Sequence, residues 1–123
     1  MTTELVINKL INAFESLDAV TSANLFSKDA TFHNIPMGIT IGRIDIQNNL
    51  TELFSSVDSI RWEILNKVIQ GNTAVVERIN HIVFKDGKII SLPMVTVAQI
   101  ENSQVTVFKD YFDLKSFSDQ MSS

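Results

Sequence analysis

Three turn signals cut the second half of this chain into four apolar runs, and that punctuation restricts the fold more than any other feature. Gly71-Asn72, Asp86-Gly87 and Asn102-Ser103 each separate stretches rich in Val, Ile, Thr and Phe. Asn and Gly at such points adopt the left-handed backbone that a tight hairpin requires, and the first two pairs are strong hairpin signals. The runs predict strands over about 59–70, 73–85, 88–100 and 104–112. Strands joined by tight hairpins lie antiparallel to their neighbours. The result is a meander with one apolar face that other elements must cover.

The first half supplies the cover. Residues Thr3 to about Leu17 read as a helix capped by Thr3, with Glu4 at the positive N-terminal end. Val6, Leu10, Phe14 and Leu17 form its apolar stripe. A short helix over Ala19–Phe26 follows, capped by Asp18, then a strand over Ala30–Asn34 stopped before Pro36. Ile39–Gly42 is a short extended piece, and a further helix covers about Ile44–Phe54, with Ile46, Leu50, Leu53 and Phe54 on its buried side. The stretch from Leu114 to Met121 predicts a last short helix. Helices first and a meander afterwards define an α+β domain, here one domain over residues 1–123. A strongly curved four-stranded sheet with helices over its concave face would enclose a pocket.

Within the meander, strand alternation exposes an anomaly. Phe108, Asp110 and Phe112 fall on one face of the last strand. Ala74, Val76, Arg78, Asn80, Ile82 and Phe84 fall on one face of the second, so Arg78 and Asn80 interrupt an apolar row. A carboxylate between two inward Phe rings is costly unless it is paired or hydrogen-bonded. The simplest arrangement joins Asp110, Arg78 and Asn80 inside an apolar pocket. Asp110 is then either a general base oriented by the planar guanidinium fork or half of an ion pair that fixes strand register. Asn80 either hydrogen-bonds a ligand oxygen or is a satisfied buried amide. Asn34 is placed to hold a water or a polar ligand group, and Phe32, on the same strand face, lines the wall or belongs to the core.

Other chemistries lack their residues. The chain has no cysteine, which excludes disulfides, cysteine nucleophiles and thiolate metal sites. His33 falls on the opposite strand face from Asn34, and His81 on the opposite face from Arg78 and Asn80, so no metal centre is expected. Among only four glycines there is no G-x-G-x-x-G, P-loop or G-x-S-x-G, and no cofactor is expected. A net charge of −4 without a basic run argues against nucleic acid. No apolar run approaches the roughly 20 residues that cross a bilayer, and Met1-Thr2-Thr3-Glu4 lacks a basic signal-peptide start, so a soluble cytoplasmic protein is the default expectation. Glu77, Ile79, His81 and Val83, with Lys109 and Tyr111, form an outer sheet face that suits a dimer or a covering terminal helix.

Four segments carry a family resemblance: Phe32-His33-Asn34-Ile35-Pro36-Met37, Ile41-Gly42-Arg43, Glu77-Arg78-Ile79-Asn80 and Lys109-Asp110-Tyr111-Phe112-Asp113-Leu114. Their order and spacing, running from about residue 4 to 117, resemble the limonene-1,2-epoxide hydrolase branch of the NTF2-like (SnoaL-like) superfamily. The resemblance implies a cone-shaped, cystatin-like α+β fold: a curved mixed sheet with helices closing a deep apolar pocket, and a homodimer formed through the outer sheet face. In that family an Asp activates water with help from a Tyr and an Asn, an Arg links two carboxyl groups, and a second Asp protonates the epoxide oxygen. On this chain the resemblance places Asp110 as the base, Arg78 as the bridge and Asn34 as a water ligand. Two positions depart. The Tyr position is Phe32, which has no hydroxyl, and the acid position is Asn80, which has no proton to give.

The expected partner is a small apolar or oxygenated organic molecule contacted by Asn34, Phe32, Phe108 and Phe112, with Asp110, Arg78 and Asn80 as the candidate catalytic groups. General acid catalysis contributes roughly 10²–10⁴-fold, so losing the acid weighs against epoxide opening. The reading favoured is an epoxide-hydrolase-like pocket protein acting on a small hydrophobic molecule, with three functions open: an enzyme with Asp110 as base, either a proton-transfer isomerase or cyclase or a slow hydrolase; a non-catalytic binder of an apolar ligand; and a dimeric interaction module with a vestigial pocket.

Overall fold

The computed structural model describes residues 1–123. Helix α1 (Thr3–Glu15) begins where the Thr2 hydroxyl accepts from the Leu5 backbone N–H. Helix α2 (Ala19–Asn24) begins where Asp18 accepts from Thr21. Strands β1 (Phe26–Asn34) and β2 (Gly38–Ile41) form a hairpin, followed by helix α3 (Arg43–Ser55). The meander is β3 (Val57–Gln70), β4 (Thr73–Phe84), β5 (Ile89–Glu101) and β6 (Gln104–Tyr111), and helix α4 (Leu114–Met121) closes the chain.

The strands make one curved sheet of six, in the order β2-β1-β6-β5-β4-β3. All pairings are antiparallel except β1 with β6. The meander therefore is not a sheet of four: β1 docks parallel on β6, with Phe32 opposite Phe108 and Asn34 opposite Asp110. Turn chemistry explains the hairpins. Asn102 and Ser103 both adopt positive φ, and Gly71 does so between β3 and β4. Gly42 has φ of +93°, which a side chain rarely adopts; it turns β2 into α3 while its N–H donates to the Ala30 carbonyl.

Two sequence expectations shift. The second helix stops at Asn24 because Phe26 starts β1, fully buried beneath Phe32 and Phe108. The cap of α1 is Thr2 rather than Thr3, whose hydroxyl instead donates to the Gly71 carbonyl.

The concave face is divided in two. Over one half α1 lays Val6, Ile7, Leu10 and Phe14 against Ala74, Val76, Ala98, Ile100, Val105 and Phe108, all buried in a single core cluster. Phe14 packs edge-on to Phe54 and Trp62 at 5.9 Å, which joins α1, α3 and β3. Over the other half the same strand rows continue without α1 above them.

Candidate functional site

That uncovered half is a cavity of about 430 Å³, and 17 of its 23 lining residues are hydrophobic. Within it β4 contributes Arg78, Asn80, Ile82 and Phe84, while β5 contributes Ile90, Leu92 and Met94. Leu50, Leu53 and Phe54 come from α3, and Phe117 and Met121 from α4. On the β2 side Asn49 donates to the Thr40 hydroxyl at 2.9 Å. The volume lies in the range of small-molecule sites, which combine apolar walls with a few polar groups.

The polar groups collect at the boundary with the core. Arg78, Thr96 and Asp110 sit on three adjacent strands and are 2%, 0% and 5% exposed. Thr96 faces Asp110 directly across the β5–β6 pair and faces Val76 across the β4–β5 pair, which makes Arg78 its diagonal neighbour. The Arg78 Nη1 donates to Thr96 Oγ1 at 2.5 Å, and that hydroxyl donates to Asp110 Oδ1 at 2.5 Å. The direct Arg78 Nη1 to Asp110 Oδ1 separation is 3.6 Å. The ion pair therefore runs through a hydroxyl rather than through a two-pronged fork. The Arg78 guanidinium carbon lies over the Trp62 ring, 3.5 Å from its centroid, an arrangement that stabilises a desolvated cation.

Burial dominates the electrostatics. It pushes the Asp110 carboxyl above the usual carboxylate range, against the opposing pull of Arg78 and the Thr96 hydrogen bond. Burial likewise lowers the proton affinity of Arg78, opposed by Asp110. Arg78 Nε and Asn80 Oδ1 are buried with no hydrogen-bond partner. Asp110 Oδ2 makes no hydrogen bond within the chain, and Asp110 lines the cavity.

The structure brings Asp110, Arg78 and Asn80 together at this end, with Asn34 and Phe32 beside them in the lining. The Ile35 N–H donates to the Asp110 carbonyl at 2.9 Å, which ties the end of β1 to β6. Phe112, just past β6, lines the wall and meets Phe117 edge-on at 5.9 Å. Phe108 is a correction. It is fully buried, stacked on Phe32 at 4.6 Å and packed on Phe14 and Phe26, and it does not line the cavity. Alternation places it on the inward face, but its position along β6 lies under α1.

Two residues escaped the sequence reading. Thr96 interrupts the inward row Leu92, Met94, Thr96, Ala98, Ile100 just as Arg78 interrupts its own row, so the same signal was present. Trp62 carries no comparable signal, because an inward Trp on a strand reads as ordinary core.

A curved mixed sheet with an apolar cavity at one end and a buried carboxylate in its wall defines a cone-shaped α+β pocket fold, the NTF2 or ketosteroid isomerase-like type. The chain belongs to the SnoaL-like domain family, whose model matches residues 7–108. Solved structures with the same fold include a Shewanella denitrificans protein provisionally assigned as a SnoaL-like polyketide cyclase, 21% identical over 98% of this chain and 96% of that one, with a TM-score of 0.88. An LEH-like epoxide hydrolase of M. tuberculosis is 18% identical over 98% and 91% of the two chains, with a TM-score of 0.86. A Catenulispora acidiphila protein of ketosteroid isomerase-like fold, solved in complex with trimethylamine, is 18% identical over 95% and 92%, with a TM-score of 0.83.

Proposed function

We propose that this protein binds a small, largely apolar, oxygenated molecule in the cavity, and that Asp110 accepts a proton from it. The observation that carries this reading is a buried carboxylate, held on one oxygen by Thr96 and Arg78, in the wall of an apolar cavity. Burial raises its proton affinity above that of an ordinary carboxylate, which makes it a stronger base once ionised. The proton comes from a carbon next to a carbonyl. The C–H electron pair moves into a C=C bond, and the carbonyl oxygen becomes an enolate oxygen that the Asn80 amide holds by hydrogen bonding. Return of the proton to another carbon completes an isomerisation.

The test is conversion of 3-cyclohexenone to its conjugated isomer, followed by absorbance. Turnover that falls about 10²-fold or more in Asp110→Asn, with binding retained, supports the base role. Binding without turnover in the natural protein would make it a non-catalytic binder.

Epoxide opening is the second reading, favoured by the likeness to the M. tuberculosis epoxide hydrolase. Phe32 and Asn80 oppose it, since neither offers the hydroxyl or the proton that the limonene-1,2-epoxide hydrolase branch uses. Assaying the natural protein and Asn80→Asp on terpene and cyclohexene epoxides separates the cases: turnover by the variant alone means the frame is intact and the acid is missing. We further propose a homodimer through the outer sheet face, where Ile79, Val83 and Val95 are only half-buried and Tyr111 is exposed. Sedimentation of the natural protein and of Ile79→Lys tests it, a monomer in both cases being the refuting result.

A further inference from the structure

The cavity wall holds a cation whose hydrogen-bonding capacity is mostly unspent. A guanidinium carries five N–H donors in a fixed plane. In Arg78 only Nη1 is engaged, on the Thr96 hydroxyl and near Asp110 Oδ1. Its Nε–H is buried without a partner, and Nη2 makes no hydrogen bond within the chain. Nε and Nη2 form the side-on edge of the guanidinium, the edge that takes a carboxylate through two parallel hydrogen bonds. Trp62 lies against the group, its ring centroid 3.5 Å from the guanidinium carbon, and both side chains line the cavity.

The surroundings select what binds there. Asn80, two residues along the same strand face, lines the cavity and adds an amide N–H donor. No other cationic side chain lines the cavity, and its single acid, Asp110, shares only one oxygen with Arg78, mainly through Thr96. The rest of the wall is Phe, Ile, Leu, Met and Trp62 apart from Asn34, Thr40 and Asn49. A ligand that answers this pattern has an anionic oxygen pair at one end and a hydrocarbon body at the other.

We propose that the cavity takes a small apolar carboxylic acid, bound as its anion with the carboxylate on the unpaired edge of Arg78 and its hydrocarbon body along the apolar wall. The inference rests on the small-molecule reading above and narrows its ligand class. It also gives Arg78 a role besides orienting Asp110: it is the group that discriminates an acid from its neutral relatives.

Trp62 provides the readout. It is the sole tryptophan of the chain and stacks on the guanidinium, so its fluorescence reports occupancy of that edge. Matched sets of acid, methyl ester and alcohol on cyclohexyl, phenethyl and geranyl skeletons are titrated into the natural protein at neutral pH. The acid is expected to bind at least tenfold more tightly than its ester and alcohol on the skeleton that fits best. In Arg78→Gln that preference disappears. Should this variant fail to fold, Asp110→Asn serves instead: it removes the competing carboxylate, keeps Arg78, and is expected to tighten the acid by threefold or more. An ester or alcohol that binds as well as its acid overturns the proposal and leaves the small-molecule pocket standing. No binding by any member of the three sets, in the natural protein and in Asp110→Asn alike, overturns both.

Discussion

Replacing Thr96 by Val keeps the shape of the side chain and removes the hydroxyl that joins Arg78 to Asp110. Two hydrogen bonds to charged partners are lost, at 2.5 Å each, from a position with no solvent exposure. Bonds to charged groups contribute about 1.5–3 kcal/mol apiece, so Thr96→Val is expected to cost about 3–6 kcal/mol where Asp110 is ionised. The penalty depends on pH, with a definite sign. Asp110 in the folded protein has a pKa above its ordinary value of 3.8, mainly through burial. The folded state therefore holds the proton more tightly, and stability falls as pH rises from the ordinary value through the folded one. The Thr96 hydrogen bond limits that rise by favouring the ionised form. Without it the folded pKa moves higher, and the variant continues to lose stability at pH values where the natural protein has stopped. Urea unfolding followed by Trp62 fluorescence, from about pH 4 to about pH 9, measures the difference. The penalty should grow with pH by about 1–2 kcal/mol, and Thr96→Ser should recover most of it. A penalty that is flat, or that shrinks as pH rises, refutes the hydroxyl as the link that holds the ionised pair.

Other perturbations test separate parts of the structure. Asp110→Asn should abolish the pH dependence assigned to this carboxyl while costing about 3–5 kcal/mol, because it leaves Arg78 buried without its counter-ion; unfolding curves across the same pH series check both. Phe108→Ala should cost about 3–5 kcal/mol in urea unfolding from lost packing on Phe14, Phe26 and Phe32, with no change in ligand selectivity in a folded sample, since the ring does not reach the cavity. Gln120→Ala should act differently: its amide clasps the Ser91 backbone from both sides, at 2.7 and 2.9 Å, and α4 has no buried residue. Global stability should change by about 1 kcal/mol or less, while hydrogen exchange over Leu114–Met121 and probe release from the cavity both accelerate.

How far the sequence reaches is clearest residue by residue. Alternation on β4 and β6 was enough to bring Arg78, Asn80 and Asp110 to one interior, because register follows from the turns and an interrupted apolar row is visible in the text. Thr96 carries the same signal on β5, where it interrupts the apolar inward row. The parallel docking of β1 on β6 has no local signature, since it depends on a contact between segments some 75 residues apart; the family resemblance implies only that the sheet is mixed, not which strands pair. Phe108 exposes a different limit. Alternation tells inside from outside, but not which part of the inside a helix covers, so core and cavity wall look alike along one strand.

That last distinction explains where the site lies. Along β4 the inward row passes from Ala74 and Val76, under α1, to Arg78, Asn80, Ile82 and Phe84 in the cavity. On β5 it passes from Ile100 and Ala98 through Thr96 to Met94, Leu92 and Ile90, and on β6 from Val105 and Phe108 to Asp110. The polar side chain stands at the changeover in all three strands. On the core side a charged group would need a partner in every direction, at a desolvation cost that paired charges often fail to recover. Far out in the cavity it would be solvated, and its proton affinity would stay ordinary. At the boundary the core encloses Thr96 and fixes one side of Arg78 and Asp110, while these two also line the cavity. This is the placement that the proposed binding and proton-transferring roles require, with position set by packing and hydrogen-bonding capacity left over.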